Sequence, residues 1–421
     1  MYKLFTFANG LRAIVYRTDF VRSVTMGVWV GAGSSDEAAA NNGISHFTEH
    51  MLFKGTAKRT AFQIAEEIDS LGAQINAFTT KECTCYFTKT ISEHTEKCFE
   101  ILSDIFFNSG FNGDELAKEK NVVLEEISMT EDTPDDLCHE LLSDAFYEGS
   151  PLGLRILGTT ETVNNFTADI IRGYMRVNYC PQNVVISIVG DITFQTAERL
   201  SKKYFADKFA EGVCFSAANA PKHITERKIL SRVKQTEQSS LSIGIPGVAY
   251  NAPDSQAFAI LNSVIGGGGM SSRLFQKIRE ERGLAYSVYS YNSGYVNNGM
   301  FSVYVGTNPK NVDGVMELLA EEFFLLKRDF ITEAEFLRGK EQMKAAFIMG
   351  QESTSSLMNV FGKLLVLKGE IFDIDERLAA INRVTYDDVC GLIARTISFE
   401  RACASYVGPD GREDLLGFLR G

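Results

Sequence analysis

Long apolar runs are missing from this chain, and so are the features of a secretory leader. No stretch approaches the roughly 18 consecutive apolar residues that a membrane-spanning helix needs. The N-terminal segment MYKLFTFANGLRAIVYR has neither a continuous apolar core nor a small-residue cleavage site. We therefore expect a cytoplasmic protein that has no membrane partner.

A surplus of basic residues is also missing. The chain has 42 Lys and Arg against 54 Asp and Glu, a formal net charge of −12 and a pI near 5.1. Because nucleic acid attracts proteins with a basic patch, we expect no nucleic-acid partner. The 421 residues are 45% hydrophobic with only 8 prolines, which is typical of a globular protein. This length favours two domains of about 200 residues each.

Cysteine pairs of the C-x-x-C type are absent among the eight cysteines. Cysteines scattered through a long chain predict reduced, mostly buried thiols rather than a disulfide framework. Cys83 and Cys85 alternate like residues on one face of a strand. Packing in a core is favoured over a second metal site for this pair.

An internal repeat spans half of the chain length. The first half predicts two strands (LRAIVYR, VTMGVWVGAG), a helix (TAFQIAEEIDSLG), two strands (AQINAFTTKECTCYFTKTI), a long helix from about 93 to 129, and a buried strand (YCPQNVVISIVGDI). SSLSIGIPG, SRLFQKIREERG, LAYSVYSYNSG and RACASYVGPDG repeat this order about 213 to 218 residues later. We expect an α+β fold with two similar domains, 1–212 and 213–421, each a mostly antiparallel sheet packed with helices.

The segment SHFTEHMLFKGT, residues 45–56, holds two of the five histidines. At about 100° per residue, His46 and His50 lie on one helix face with Glu49 beside them, and two imidazoles at this spacing suit a zinc ion. The repeat aligns this motif with AILNS at 259–263, which contains no ligand, so only the first domain is expected to bind metal. His94, His139 and His223 have no second feature and are interpreted as structural.

Zinc requires a third protein ligand, and GDELAKEKNVVLEEISM offers two candidates. Glu119 and Glu126 fall on the same helix face as an apolar stripe, only about 20° apart. Inward-facing carboxylates need a cation or donors to offset their desolvation. Glu125 points about 100° away and is expected to be solvated. A chance histidine pair on a polar face is the alternative interpretation.

With these residues in view, the chain resembles the pitrilysin-type zinc metallopeptidases, the inverted zincin superfamily with the motif H-x-x-E-H. It is similar to the mitochondrial processing peptidase, and most similar to the single-chain bacterial relatives of about this length. The resemblance covers nearly the whole chain. It rests on GISHFTEH (43–50), Glu126 at 76 residues beyond His50, NAFT (76–79), NYCPQNVVISIVGD and GGGGMSSRLFQKIREERGLAYSVYS.

The resemblance implies roles for individual residues of the first domain. His46, His50 and Glu126 correspond to the ligands of one zinc ion per chain, and Glu49 corresponds to the general base. Glu119 corresponds to a carboxylate that orients a ligand. An extended peptide is expected to add to a sheet edge at Asn76, Ala77, Phe78 and Thr79.

The resemblance also implies a substrate class and an assembly. Arg279 and Tyr286 correspond to a pair that approaches the substrate, supplied in trans within a homodimer. The glycines at 266–269 resemble a flexible loop, although a turn before a helix starting near Ser271 explains them equally. The implied activity is a zinc-dependent endopeptidase that cleaves short unfolded peptides inside an enclosed chamber.

Several alternatives stay open at this point. A non-catalytic core or scaffold subunit has the same fold, and so does a module that binds peptides without cutting them. The partner could be a related subunit instead of a second copy, and cobalt or manganese could occupy the same ligands.

Overall fold

The computed structural model describes residues 1–209 and 220–419. The strands are β1 Tyr2–Thr6, β2 Arg12–Arg17, β3 Ser23–Val30, β4 Gln74–Thr79, β5 Thr84–Ile91, β6 Val184–Gly190, β7 Lys228–Val233, β8 Ser239–Pro246, β9 Ala285–Gly294, β10 Gly299–Thr307 and β11 Cys403–Gly408. The helices are α1 Ile44–Leu52, α2 Ala61–Ser70, α3 Thr95–Asn108, α4 Gly113–Asp132, α5 Pro134–Phe146, α6 Thr160–Asn165, α7 Ala168–Asn178, α8 Phe194–Tyr204, α9 Ser255–Asn262, α10 Val312–Asp329, α11 Glu333–Gly350, α12 Thr354–Lys368, α13 Ile374–Arg383 and α14 Tyr386–Thr396.

The chain forms two compact units, and neither is continuous in sequence. Unit 1 contains Met1–Ile127, the described part of Leu154–Asn219, and Met349–Phe372. Unit 2 contains Ser128–Gly153, Ala220–Ile348 and the described part of Asp373–Gly421. Unit 1 thus includes α12 from the second half of the chain, and unit 2 includes α5 from the first. The predicted boundary between 212 and 213 lies outside the described residues and stays a prediction.

Unit 1 is built on a six-stranded sheet in the order β1-β2-β6-β3-β5-β4. Only β2 and β6 pair in parallel, and the other neighbours are antiparallel. All seven residues of β6 are buried, as expected for a strand with both faces covered. Helices α1, α3 and α8 contribute to the main apolar core, while α12 packs on β3 and β6. Strand β4 forms one edge of this sheet.

Unit 2 contains a five-stranded sheet in the order β7-β11-β8-β10-β9. Here only β7 and β11 are parallel. Its apolar core draws on α9, α10 and α14, and α5 packs on β7, β8 and β11. This order equals β2-β6-β3-β5-β4 of unit 1, with the parallel pair in the same place. The predicted α+β fold with an internal duplication is confirmed.

The prediction of one long helix from about 93 to 129 is wrong in one respect. This stretch forms two helices, α3 and α4. They are separated by residues 109–112, where Phe111 has a φ of +49°. Helical periodicity on both sides of the break concealed it. The helix predicted in SRLFQKIREERG contains a π-helical segment, Phe275–Glu280, and a second one, Ser263–Gly267, continues α9 into the glycine run.

Cysteine burial follows the sequence prediction for most of the residues concerned. Among residues 1–209 and 220–419, six cysteines are free thiols, and five of these are buried, namely Cys83, Cys85, Cys98, Cys138 and Cys403. Cys180 is disulfide-bonded, so the expectation of reduced thiols is wrong for this residue.

No helix in the described part of the chain is long and apolar enough to cross a membrane. The cytoplasmic location stays a prediction.

Candidate metal centre and active site

Helix α1 presents an apolar face to the core and a polar face to the site. Ile44, Phe47 and Met51 belong to the unit 1 core. His46, Glu49 and His50 therefore point the other way, as a helical period requires. Because the apolar contacts hold the helix, the polar side chains are presented from a rigid element.

The N-terminus of α1 is anchored by Glu37, a buried residue that sequence reasoning missed. Its Oε2 accepts hydrogen bonds from Asn42 Nδ2 at 2.8 Å and Gly43 N at 2.7 Å, and its Oε1 accepts one from Ser45 N at 2.7 Å. The carboxylate thus satisfies backbone donors that a helix leaves without intrahelical partners, at the positive end of the helix dipole. An acidic residue shortly before a helix start was the available signal.

Helix α4 supplies the two carboxylates expected from the sequence. Leu116 and Val123 are buried against the unit 1 core and fix the orientation of the helix. Glu119 is 3% exposed, and the side chain of Glu126 is 34% exposed. Glu125 is exposed, as expected.

Three side chains from α1 and α4 converge. The Nε2 atoms of His46 and His50 lie 3.2 Å apart, and Glu126 Oε2 lies 3.7 Å from each of them. Within residues 1–209 and 220–419, this is the only group of three such residues with ligand atoms close enough to hold a metal ion, all within 4.8 Å of one another. Two imidazoles and one carboxylate form the donor set of a catalytic zinc site that keeps one position open.

The protonation states of the His46 and His50 imidazole rings are suited to binding a cation. His50 Nδ1 lies 2.7 Å from Glu119 Oε1. Because a carboxylate only accepts, Nδ1 carries the proton and the Nε2 lone pair is directed at the site. Burial, followed by the proximity of His50, lowers the pKa of His46 to about 3, so this ring is neutral at pH 7. A neutral His46 ring whose Nε2 lone pair also faces the site would place two nitrogen lone pairs 3.2 Å apart, an arrangement that a cation between them stabilises.

Glu119 links the site to a lysine. Its Oε2 accepts a hydrogen bond from Lys54 Nζ at 2.7 Å, while its Oε1 accepts the one from His50. Burial opposes ionisation of this carboxyl, but the hydrogen bonds from His50 and Lys54 outweigh it and lower the pKa of Glu119. Glu119 is therefore a carboxylate at neutral pH.

Glu49 lies beside the cluster without belonging to it. Its Oε2 accepts a hydrogen bond of 2.5 Å from Thr79 Oγ1. Burial raises the pKa of the Glu49 carboxyl, partly offset by the Thr79 hydrogen bond. A carboxylate with a raised pKa is a stronger base than one in water.

Thr79 is the last residue of β4, and this strand forms an edge of the sheet. The other three residues of the predicted substrate segment lie on the same strand, with Asn76 exposed and Ala77 and Phe78 partly buried. The segment is therefore an edge strand that ends next to Glu49.

The structure brings Arg279 and Tyr286 together in unit 2. The guanidinium lies 4.8 Å from the centroid of the Tyr286 ring, and Arg279 Nη1 donates to the Tyr286 carbonyl at 3.0 Å. The tyrosine is 74% exposed. The glycine run ends at Gly269, whose φ is +87°, a backbone conformation that favours glycine.

Comparisons with known proteins agree with this site. Residues 13–160 match the family described as Insulinase (Peptidase family M16), and residues 165–343 match the Peptidase M16 inactive domain. The chain is 44% identical over 411 residues to YmxG of Bacillus subtilis, named an uncharacterized zinc protease, which covers 98% of this chain and 99% of that protein. An uncharacterized zinc protease of Streptomyces coelicolor is 37% identical over 411 residues, covering 96% of this chain and 89% of that protein.

Two solved structures share the fold. One, described as a peptidase M16 inactive domain from Pseudomonas fluorescens, has a TM-score of 0.90 at 21% identity and covers 97% of this chain and 98% of that chain. The other, a protease from Helicobacter pylori, has a TM-score of 0.88 at 23% identity, covering 97% and 99%.

The resemblance to the pitrilysin-type peptidases is confirmed by these matches. Zinc is the cofactor, as the names of the relatives and the donor set of the cluster both indicate. The chain belongs to the M16 (insulinase) family of zinc proteases.

Proposed function

We propose that this protein is a zinc-dependent endopeptidase that cleaves short, unfolded or extended peptides. The observation that carries the proposal is the convergence of His46, His50 and Glu126 with a buried carboxylate, Glu49, next to them. A structural histidine pair would require neither a third ligand nor a base.

His46, His50 and Glu126 hold the zinc ion in this proposal, and Glu119 orients His50. When bound, zinc supplies Lewis acidity that polarises the scissile carbonyl and makes water more acidic. The remaining chemistry belongs to the side chains of this chain.

Glu49 acts as the general base and then as the general acid. Thr79 holds Oε2 of Glu49, which restricts the carboxylate while it accepts a proton from the attacking water. The same carboxyl group then donates that proton to the departing amine. Its raised pKa suits both steps, because proton transfer is most effective when the pKa of the group approaches the working pH.

The edge strand β4 binds the substrate backbone. Main-chain hydrogen bonds to an edge give affinity with little dependence on the peptide sequence. Because the strand ends at Thr79, a peptide that pairs with Asn76, Ala77 and Phe78 would extend toward Glu49. Enclosure of the site in a chamber would exclude folded proteins.

Replacement of Glu49 by Gln tests the catalytic assignment. The amide keeps the size of the side chain but cannot accept the proton, so we expect zinc to stay bound and hydrolysis to fall by at least about 100-fold. Cleavage of a fluorogenic peptide and zinc content are the two measurements. Glu125→Gln, at an exposed position of α4, is the matched control and should behave as the wild type.

The same assay separates the alternatives. A wild-type protein that binds zinc but never cleaves peptides would support a scaffold or peptide-binding role. A Glu49→Gln variant that cleaves at the wild-type rate would remove Glu49 from the mechanism.

We further propose that a second copy of the chain supplies Arg279 and Tyr286 to the site. Tyr286 is highly exposed, and Arg279 contacts its ring and its carbonyl. The Tyr286 hydroxyl is therefore available to stabilise the oxyanion that forms in the active site of the other copy. Both residues lie in unit 2, whereas the metal cluster lies in unit 1.

Mixing two inactive variants tests this arrangement. Glu49→Gln and Tyr286→Phe chains, exchanged at random into dimers, should recover about a quarter of the wild-type activity, because half of the dimers are mixed and each has one intact site. Size-exclusion chromatography verifies the dimer. Failure to recover activity in verified mixed dimers would contradict supply in trans.

A further inference from the structure

Lys54 lies two residues after the end of α1, and its ammonium contacts the same carboxylate as His50. The helix ends at Leu52, and the Lys54 N–H donates to the Met51 carbonyl at 3.2 Å. The turn thus keeps Lys54 on the side of His50, four residues earlier. Both side chains meet Glu119, which belongs to α4.

Glu119 is a buried anion with both oxygens engaged. Its side chain is 4% exposed, whereas that of Lys54 is 30% exposed. The two contacts are 2.7 Å each, from His50 Nδ1 to Oε1 and from Lys54 Nζ to Oε2. Charge-assisted hydrogen bonds of this length are among the strongest in proteins. A buried carboxylate that loses one such partner carries a desolvation cost that the other must offset alone.

We propose that Lys54 is a positioning residue for the zinc site, acting through Glu119 on His50. The ammonium holds one oxygen of the carboxylate, so the other stays aligned with His50 Nδ1. That alignment fixes the tautomer and the orientation of the ring, and hence the direction of the Nε2 lone pair. The inference rests on the metal-binding part of the proposed function, not on catalysis.

The inference extends the segment that serves the zinc site beyond the H-x-x-E-H motif, to residue 54. In HFTEHMLFK, residues 46–54, the first and second histidines and the lysine are spaced four residues apart. The lysine and the second histidine therefore act as a pair on Glu119.

The test measures zinc affinity, by competition between the purified metal-free protein and a chromophoric chelator. Lys54→Met retains the length of the side chain without the charge, and we expect its zinc affinity to fall by about 10-fold or more, as for other partners of metal ligands. Lys54→Gln is measured in parallel. If one of the two variants fails to fold, the other still tests the inference. Lys54→Arg should restore most of the affinity because the guanidinium can still bind the carboxylate.

Lys58→Met is the matched control, since Lys58 is exposed in the same loop. It should bind zinc as the wild type does. Circular dichroism of the metal-free variants establishes that each is folded before zinc is added.

A double-mutant cycle tests the route through Glu119. In a Glu119→Gln background, Lys54→Met should cause little further loss of affinity, because the partner of the lysine is already absent. Wild-type affinity in folded Lys54→Met and Lys54→Gln would overturn the inference and leave the zinc site intact. An equal loss in both backgrounds would also overturn it. A wild-type protein that binds no zinc would overturn the proposed function itself.

Discussion

Arg59 shows how a single side chain stabilises the residues around the site. Its guanidinium contacts Glu67 at 2.8 Å, and Glu100 and Asp104 at 2.7 Å each. Glu67 lies on α2, and the other two acids lie on α3. The arginine side chain is 9% exposed, so these pairs are screened less by water than surface pairs are. Arg59 therefore ties the segment after α1, which carries Lys54, to two helices.

This network predicts a defined dependence of stability on pH. Hydrogen bonds from Arg59, then from Lys97, lower the pKa of Glu67 from 4.5 to about 2. Because the folded pKa is below the unfolded one, the stabilisation is complete above pH 4.5 and is lost as the pH falls toward 2. Arg59→Met should lower the free energy of unfolding at pH 7 by about 3 kcal/mol, with a smaller loss at pH 3.

Urea unfolding of the metal-free protein at the two pH values is the measurement. Lys118→Met, which removes a surface pair with Glu115, is the control and should change stability by less than about 1 kcal/mol. An equal loss for Arg59→Met at pH 7 and pH 3 would contradict the assignment.

At the scale of elements, the close approach of α12 to the unit 1 sheet depends on glycine. Trp29 of β3 is 1% exposed, and its Nε1 lies 3.4 Å from Met358 Sδ on α12. A Cβ atom added at Gly362 would overlap the Trp29 indole. The helix can pack this close only because position 362 has no side chain.

Gly362→Ala should therefore destabilise the protein even though alanine is the better helix former. The gain in helix propensity is about 1 kcal/mol, whereas overpacking against a rigid indole costs about 1 to 3 kcal/mol. Gly173→Ala in α7 is the matched control, because nothing lies within 4 Å of its added Cβ. We expect this control to raise the free energy of unfolding by up to about 1 kcal/mol. Thermal or urea unfolding measures both, and a stabilised Gly362→Ala would show that α12 packs less closely.

The structure at the scale of the whole molecule departs from a simple duplication. The two sheets repeat one strand order, yet each unit takes one helix from the other half of the chain. Sheet faces that would otherwise be exposed are covered in this way, by α12 on β3 and β6 and by α5 on β7, β8 and β11. Each half of the sequence therefore lacks one helix that its own unit needs.

A fragment of residues 1–209 should consequently fail to fold cooperatively. It lacks α12, so Trp29 and the adjacent face of β3 and β6 would be exposed to water, and an apolar patch of this kind promotes association. Co-expression with residues 220–421 should restore a soluble complex. The measurement is a thermal melt of the purified fragment, alone and with its complement. A single cooperative transition of the fragment alone would contradict the prediction.

The residues of the metal centre differ in how far sequence alone could identify them. His46, Glu49 and His50 lie within five consecutive residues of one helix, so spacing on a single element sufficed. Glu119 and Glu126 required the helical period of a second segment, which held because Leu116 and Val123 follow the same period. Glu37 and Lys54 were missed, because their partners are defined by contacts between segments and not by spacing along one.

Local periodicity and the half-length repeat were thus enough for the α+β fold, the repeated succession of elements along the chain and the face of α1 that carries the ligands. These depend on side chains that alternate or recur within a single element. The break between α3 and α4, the exchange of α5 and α12, and the attachment of Lys54 to Glu119 were decided only when the chain folded. Each of these three features depends on which distant segment covers a given apolar face or pairs with a given buried charge. The folded arrangement is the one that minimises exposed apolar area and unpaired charge over the whole unit.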